Sequence, residues 1–518
     1  MAGKTSQDWP KEVVSLDGES LNVEQVIRVA LHHAPVVLDP AARQRMEKTR
    51  QMVEQIVAEQ RVVYGINTGF GKFSNFLISS AQTKQLQKNL IMSHAVGTGP
   101  PFKAEIVRAA MLLRANTLAR GYSGVRPVVV EYLIKLLNKG VHPVVPEKGS
   151  VGASGDLAPL AHIALVLLGL GEAEYGGKKI SGAQALELLG LPPLVLQAKE
   201  GLALTNGTQV MSGLACLAVY EAEITAKTAS IAAALAVEAL DGVAAAFDPR
   251  VQRVRPYVGQ ARCAAHIRQL LAGGEIASRT IQPRVQDAYT LRCTPQVHGA
   301  TLDAIDYVKG VLKVELNSVT DNPLLFPEDG EVISGGNFHG QPLALALDFL
   351  GIAVAELGSI AERRIARLLD PALSGLPAFL TAHGGLNSGL MLTQYTAAAL
   401  VSENKVLASP ACVDSIPTSA NQEDHVSMGP ISARKAGEII RNVQQILAIQ
   451  LICAAQAVDL GARRKMGRGT ARAYAVIREE IPFLERDRVL YPDLQKALEL
   501  VQSGRLLQAV EDEVGPLL

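Results

Sequence analysis

Residues 341–369 read QPLALALDFLGIAVAELGSIAERRIARLL. Pro342 suits the first turn of a helix, and the half that follows is apolar nearly all round the helical circumference. A helix with so little polar face must be buried on most sides. A second long pattern, Ile431 to Leu460, carries Ile439, Val443, Ile446, Leu447 and Leu451 at helical spacing, and Gly461 is placed to end it. Helices of this length pack as a bundle. Aromatic residues make up only 4% of the chain while Ala and Leu supply most apolar positions, which favours close helix contacts. The expected fold is therefore mainly α: a long-helix bundle and C-terminal helical region over 201–518, with a smaller mixed lobe over 1–200. That lobe is expected to hold shorter helices, turns and short strands around Val144 and Ile180. Bundle surfaces this apolar associate with copies of themselves, so a symmetric oligomer is expected.

The chain has 518 residues and 55.0 kDa, ample for a large core. Lys+Arg and Asp+Glu are both 50, so no global charge points to nucleic acid or an anionic membrane as partner. The run Arg463, Arg464, Lys465, Arg468 and Arg472 reads as a solvated helix end. The five cysteines (Cys216, Cys263, Cys293, Cys412, Cys453) are far apart and odd in number, without metal-ligand or disulfide-framework spacing. That usage fits a reducing cytoplasm. The opening MAGKTSQDWP lacks the apolar core of a signal peptide. The charge-free stretch 371–402 is broken by Gly, Pro, Asn, Ser and Gln and does not read as a membrane span.

The chemistry centres on residues 149–160, GSVGASGDLAPL. The Gly155 nitrogen, with no side chain beside it, can approach the Ala153 carbonyl in a tight turn. Attack there would close a five-membered ring. Loss of water from the ring, and of the Ser154 hydroxyl from its β-carbon, would leave a methylidene conjugated to the ring carbonyl. That group is an electrophile, which no standard side chain provides. A helix opening near Asp156 would turn free N–H groups and a positive dipole end toward it. The competing reading is that Ser154 or Asp156 simply caps this helix. A phosphate loop fits less well, because the Gly-Lys-Ser/Thr ending is missing.

Other segments carry polar groups in suggestive places. Residues 64–72, YGINTGFGK, combine Tyr64 with glycines and read either as a mobile lid with an aromatic tip or as an ordinary glycine turn. Ser93 and His94 in NLIMSHAVGTG face a cavity or merely finish a helix, and Asn206 in EGLALTNGT is a buried amide with either role. In VQDAYTLRCTPQVHG, Gln286, Tyr289 and Arg292 recur every third residue and on a helix would share a face. That face is either solvated or a carboxylate-binding wall. SGGNFHG places Phe338 just before the long buried helix. QEDHVSMG groups Glu423, Asp424 and His425, without the His-x-x-x-His or Cys-x-x-Cys pair that would argue for a metal.

YGINTGFG, NLIMSHAVG, GASGDLAPLAH, EGLALTNGTQ, VQDAYTLRC, SGGNFHGQP and NQEDHVSMG, in this order, closely resemble the aromatic amino acid ammonia-lyases over nearly the whole chain. The resemblance is nearest to bacterial members that act on L-histidine. It implies an ammonia-lyase/fumarase-like fold and a carbon–nitrogen lyase that converts L-histidine to trans-urocanate and ammonia, the first step of histidine degradation. It implies that Ala153, Ser154 and Gly155 form 4-methylidene-imidazol-5-one autocatalytically, with no metal or nucleotide required. It further implies a cytoplasmic homotetramer whose sites are shared between subunits. By the same resemblance Tyr64 is the base on the β-carbon, Arg292 clamps the carboxylate and Asn206 lies near both ring and carboxylate. Gln286, Tyr289 and Phe338 surround the group, with Tyr289 and Glu423 counted among the catalytic residues, and Asp156 assists its formation. Ser93, His94, Met391 and Glu423 contact the substrate.

The substrate expectation rests on Ser93-His94 with Glu423, since relatives selective for phenylalanine or tyrosine resemble Phe-Leu or His-Leu at the first pair and tend to replace the acid. Glu423 can accept from an imidazole N–H and His94 can supply the complementary partner. Ala288, where many relatives have proline, departs from the pattern and affects only local backbone stiffness. Two rival readings stand beside this one: an aminomutase of the same fold, which returns ammonia to the β-carbon, and a non-enzymatic helical oligomer on the same scaffold.

Overall fold

The computed structural model describes residues 12–462 and 464–517. The MAGKTSQDWP segment and Arg463 lie outside the described residues. The helix expected from Gln341 spans Gln341–Leu369, with Pro342 in its first turn. The second spans Gly429–Leu460, and Gly461 closes it by donating its N–H to the Ala457 carbonyl at 2.9 Å. With Gln209–Ala239 and Thr294–Glu315 these helices form the bundle. Both 341–369 and 429–460 are long and apolar enough to cross a membrane, and both instead lie largely buried against each other.

Their close approach has a sequence cause. A β-carbon on Gly351 would meet Ile439 Cδ1 at 3.0 Å, and one on Gly358 would meet Ile446 Cδ1 at 3.0 Å and Val443 Cγ2 at 3.1 Å. Contacts advance together along both helices, so the pair runs in the same direction, with isoleucines set against glycine notches.

The expectation of burial on most sides of 341–369 holds only in part. Leu345, Phe349 and Ile352 are 51%, 45% and 42% exposed, a strip one helical turn apart that a single chain leaves uncovered. The basic run also differs from the solvated end expected of it: Arg464 pairs with Asp241 at 2.7 Å, and the Lys465 N–H donates to Glu275 at 3.0 Å.

The described part of 1–200 mixes short helices with short strands. Short strands pair Val14–Leu16 with Val36–Leu38 in parallel and Thr98–Pro101 with Pro146–Lys148 antiparallel. A three-stranded sheet joins His142–Pro143, Glu172–Tyr175 and Lys178–Ser181. Its hairpin turns at Gly176 and Gly177, whose φ values of 57° and 74° suit a two-residue turn. The main apolar cluster draws on residues from Val14 to Leu517, through both the short-helix part and the long helices, with smaller clusters around Val53 and around Ala153.

Gly358→Val should force Ile446 and Val443 aside and lower stability by about 1–3 kcal/mol. Gly437→Ala on the partner helix, where a β-carbon meets only Arg441 at 3.6 Å, should instead raise it by up to about 1 kcal/mol. Thermal unfolding of the two variants checks the opposite signs.

Candidate active site

The Gly152–Asp156 loop lies where the N-termini of four helices meet. Leu157–Leu167 starts directly after it. Gln209–Ala239 presents the N–H groups of Val210 and Met211 to Asp156 Oδ2, both at 2.9 Å. Gly429–Leu460 arrives behind it, with the Met428 N–H on the Val151 carbonyl at 2.9 Å and the Ser427 hydroxyl on the Gly152 carbonyl at 3.3 Å. Gly340, capping Gln341–Leu369, sits so near Met211 that a β-carbon would lie 2.5 Å from its sulfur. Each terminus brings unpaired N–H groups and partial positive charge.

Within the loop, Gly155 has φ +76°, and a β-carbon on it would overlap the Gly207 carbonyl, so only glycine fits. The segment is clasped to Asn206–Gly207. The Asp156 N–H donates to the Gly207 carbonyl at 2.7 Å, the Gly207 N–H to the Ser154 carbonyl at 3.3 Å, and Asn206 Nδ2 to the same carbonyl at 2.8 Å. Asp156 stands at the N-cap position of the helix that follows, but neither its side chain nor that of Ser154 makes a capping hydrogen bond to it. The Ser154 hydroxyl donates to Glu423 Oε1 at 2.8 Å, while Asp156 caps the 209–239 helix. Asp156 is wholly buried, its Oδ1 has no hydrogen-bond partner, and burial pushes its carboxyl up to about 7 against the pull of the two N–H groups and Arg114.

The loop opens into a cleft of about 1070 Å³ that gathers Tyr64, Ser93, His94, Ala153, Ser154, Asn206, Phe338 and Glu423. The Tyr64 hydroxyl accepts from the Gly71 N–H at 3.3 Å. Burial raises the pKa of this phenol, and the Glu423 and Asp321 carboxylates add to the effect, so it holds its proton. Ser93 and His94 end the helix Ser80–His94. The Ser93 hydroxyl donates to the Leu90 carbonyl at 3.1 Å, which assigns its oxygen as acceptor for His94 Nδ1–H at 3.1 Å. His94 Nε2 is then left as an acceptor, and burial holds the ring below its ordinary pKa and therefore neutral at pH 7.

Glu423 is held at both oxygens: Oε1 by Ser154, and Oε2 by the Thr418 hydroxyl at 2.8 Å. Between Thr418 and Glu423 the backbone makes a left-handed turn of three consecutive non-glycine residues, Ser419, Ala420 and Asn421, with φ of 52°, 53° and 62°. Each such residue costs about 1–2 kcal/mol. The turn folds residues 418 and 423 back on each other through paired backbone hydrogen bonds of 2.9 and 3.3 Å.

Four expected site residues lie elsewhere in this chain. The shared helical face of Gln286, Tyr289 and Arg292 does not form, because only Tyr289–Arg292 is helical and Gln286 is exposed in irregular backbone before it. The rule of three applied a helical spacing to a segment that the helix does not reach. Tyr289 is 71% exposed, with the Arg292 guanidinium 4.7 Å over its ring. Met391 begins the helix Met391–Leu407, and none of the four lines the cleft. Sequence reasoning missed Ser427 and Arg114, whose partners lie 275 and 92 positions away, and Thr418, which pairs with Glu423 only five residues on. It also missed His339, stacked at 5.8 Å on His425 in the cleft, although SGGNFHG had drawn notice to its neighbour.

The sequence matches the aromatic amino acid lyase family over residues 21–479, and the chain belongs to that family. It is 59% identical over 506 residues to a histidine ammonia-lyase of Symbiobacterium thermophilum, covering 98% of this chain and 100% of that one. Among solved structures it is similar to a histidine ammonia-lyase from Trypanosoma cruzi, with TM-score 0.90 and 44% identity over 97% of this chain and 96% of the other. It is also similar to a tyrosine aminomutase from Streptomyces globisporus, with TM-score 0.93 and 39% identity over 98% and 99%.

A pH effect follows from Asp156. Its folded pKa of about 7 lies above the ordinary 3.8, so the folded chain keeps a proton that the unfolded chain has released. Stability contributed at this position therefore falls as pH rises between those two values and is flat above. In a Ser154→Ala background, Asp156→Asn should remove that fall. The Tm of the Asn variant relative to its Asp parent should climb from pH 4 to pH 7, and a flat or opposite trend counts against the assignment.

Proposed function

We propose that this chain is a histidine ammonia-lyase, which removes ammonia from L-histidine to give trans-urocanate without oxidation. The observation that carries the reading is one cleft in which the Ala153-Ser154-Gly155 loop meets Glu423, the acceptor of the Ser154 hydroxyl, with the neutral His94 in the same lining. The names and identities of its relatives support it.

Ala153, Ser154 and Gly155 are proposed to form 4-methylidene-imidazol-5-one. The Gly155 nitrogen bonds to the Ala153 carbonyl carbon, whose oxygen leaves as water with the Gly155 and Ser154 amide protons as a carbon–nitrogen double bond forms. The Ser154 Cα–H and hydroxyl then leave as a second water. Three features fit the group: Gly155 at a position where a β-carbon would overlap Gly207, the Ser154 carbonyl held by two donors, and the Ser154 hydroxyl on a carboxylate. Once formed, the group supplies an electrophile for the substrate amine. The chain's own residues then position and deprotonate. Tyr64, a strong base once its proton is lost, takes the β-proton, and glycine-rich backbone around it excludes water. Glu423 accepts from the single N–H of the substrate imidazole and His94 lies against the same ring, and together they fix its orientation.

The cleft of one chain lacks Gln286, Tyr289, Arg292 and Met391, and the strip Leu345, Phe349 and Ile352 is uncovered. These facts support a homotetramer in which partner subunits bring Tyr289 and the carboxylate-binding Arg292 to each cleft. Cytoplasmic residence, without metal or nucleotide, completes the proposal.

The mature chain should be lighter than its sequence by two water molecules, and L-histidine should release ammonia and urocanate faster than L-phenylalanine by about four to five powers of ten. His94→Leu with Glu423→Gln should narrow that gap. A β-amino acid formed without free ammonia would identify an aminomutase instead.

Subunit sharing is tested by complementation. Tyr64→Phe and Arg292→Met tetramers should each turn over at least roughly a hundredfold more slowly than the parent. Co-expressed mixed tetramers should regain a substantial share of activity, because some clefts then combine an intact Tyr64 with an intact Arg292. No recovery would assign each complete site to one chain.

A further inference from the structure

Two arginines on the helix Ala104–Ala119 are each 1% exposed, and they are used differently. Arg108 donates from Nε and Nη2 to the Val29 carbonyl at 3.0 and 2.7 Å and from Nη1 to the Leu137 carbonyl at 3.0 Å, tying three helices together. Arg114 makes one hydrogen bond, from Nη1 to the Asn206 carbonyl at 2.6 Å, and its Nε and Nη2 have no partner. Among the described residues no carboxylate lies within ion-pair distance of it, and Asp321 and Asp156 act on its charge only from farther off. A dry, largely unpartnered guanidinium is costly, and an apolar side chain of similar volume would hold this position more cheaply. The cost is concentrated on one peptide group.

That peptide joins Asn206 to Gly207. Its oxygen takes the Arg114 hydrogen bond, and its N–H donates to the Ser154 carbonyl at 3.3 Å. Asn206 Nδ2 donates to the same carbonyl at 2.8 Å, so the Ser154 oxygen sits between two donors as in an oxyanion hole. Gly207 lets the arginine approach, since a β-carbon there would lie 2.8 Å from Arg114 Nη1. A cation pulling on a peptide oxygen strengthens the donor at the other end of that peptide.

We propose that Arg114 is a positioning residue for formation of the prosthetic group: it seats and polarises the Asn206–Gly207 peptide, which then stabilises charge on the Ser154 carbonyl. The step served is loss of the second water. The Ser154 Cα–H proton is removed, the electron pair forms the Cα–Cβ double bond, and Oγ departs with a proton. The Ser154 carbonyl, one bond from that carbon, carries the transient negative charge. The inference rests on the reading that Ala153-Ser154-Gly155 matures.

The test is the intact mass of the full-length chain at intervals after synthesis, with folding followed by circular dichroism. Arg114→Met should mature more slowly by about tenfold or more, on the scale of weakening one oxyanion donor. Arg114→Lys, which keeps a cation by the Asn206 carbonyl, should recover much of the rate. Arg108→Met, equally buried on the same helix, should lose stability yet still shed both waters. A folded Arg114→Met chain maturing at the parental rate overturns the proposal, as does an Arg108→Met chain as slow to mature as Arg114→Met. If Arg114→Met does not fold, Arg114→Gln replaces it, and parental maturation there is equally fatal. A parent chain that keeps its full mass instead overturns the underlying reading of the loop.

Discussion

The clasp between Ser154–Asp156 and Asn206–Gly207 is the constraint on which the site depends. It is an isolated parallel bridge between Gly155 and Gly207, outside the strands of the described residues. Four helix N-termini arrive at the same place, each with N–H groups that need acceptors. Asp156 answers one of them by capping the 209–239 helix, and Ser427 answers another through Gly152 and Gly429. The long helices thus hold a loop made almost wholly of small residues, because only small residues leave room for so many helix ends.

The segment that supplies Asn206 is braced by buried charge. Lys199 and Asp321 pair at 2.6 Å with both side chains wholly buried. Glu200, also fully buried, accepts from Arg126 Nε and Nη2 at 2.8 Å each, and from the Arg126 and Gln197 backbone. Satisfied in this way, such groups cost little and fix geometry, whereas losing one partner would leave a charge stranded. Together they fasten the short helix Glu200–Thr205, and hence Asn206, to the body of the chain.

The bundle was legible because its signal is local and periodic. Gln341 to Leu369 could be bounded from Pro342 and the apolar run, and Gly461 marked the end of the second helix. The loop drew notice because the chemistry proposed for it needs three adjacent residues. Contacts across long separations were not. Ser154 and Glu423 stand 269 positions apart, and no pattern in either segment announces the hydrogen bond between them. Three-residue spacing misled at Gln286, where an irregular segment displaced the expected helix. The apolar strip on 341–369 was read as interior, since apolar residues look alike whether their own chain or another covers them.

The left-handed turn at Ser419–Asn421 separates two kinds of design. Ser93, His94 and Leu157 take their places in the cleft from packed helices. Glu423 takes its place from an exposed, locally self-bonded backbone turn whose three residues are themselves solvent-facing. The turn therefore acts on the loop through that carboxylate, whose Oε1 accepts from the Ser154 hydroxyl at 2.8 Å. A change at 423 would reach Ser154 as well as the cleft that both line, so a strained, exposed turn and a buried, helix-bound loop meet in a single hydrogen bond.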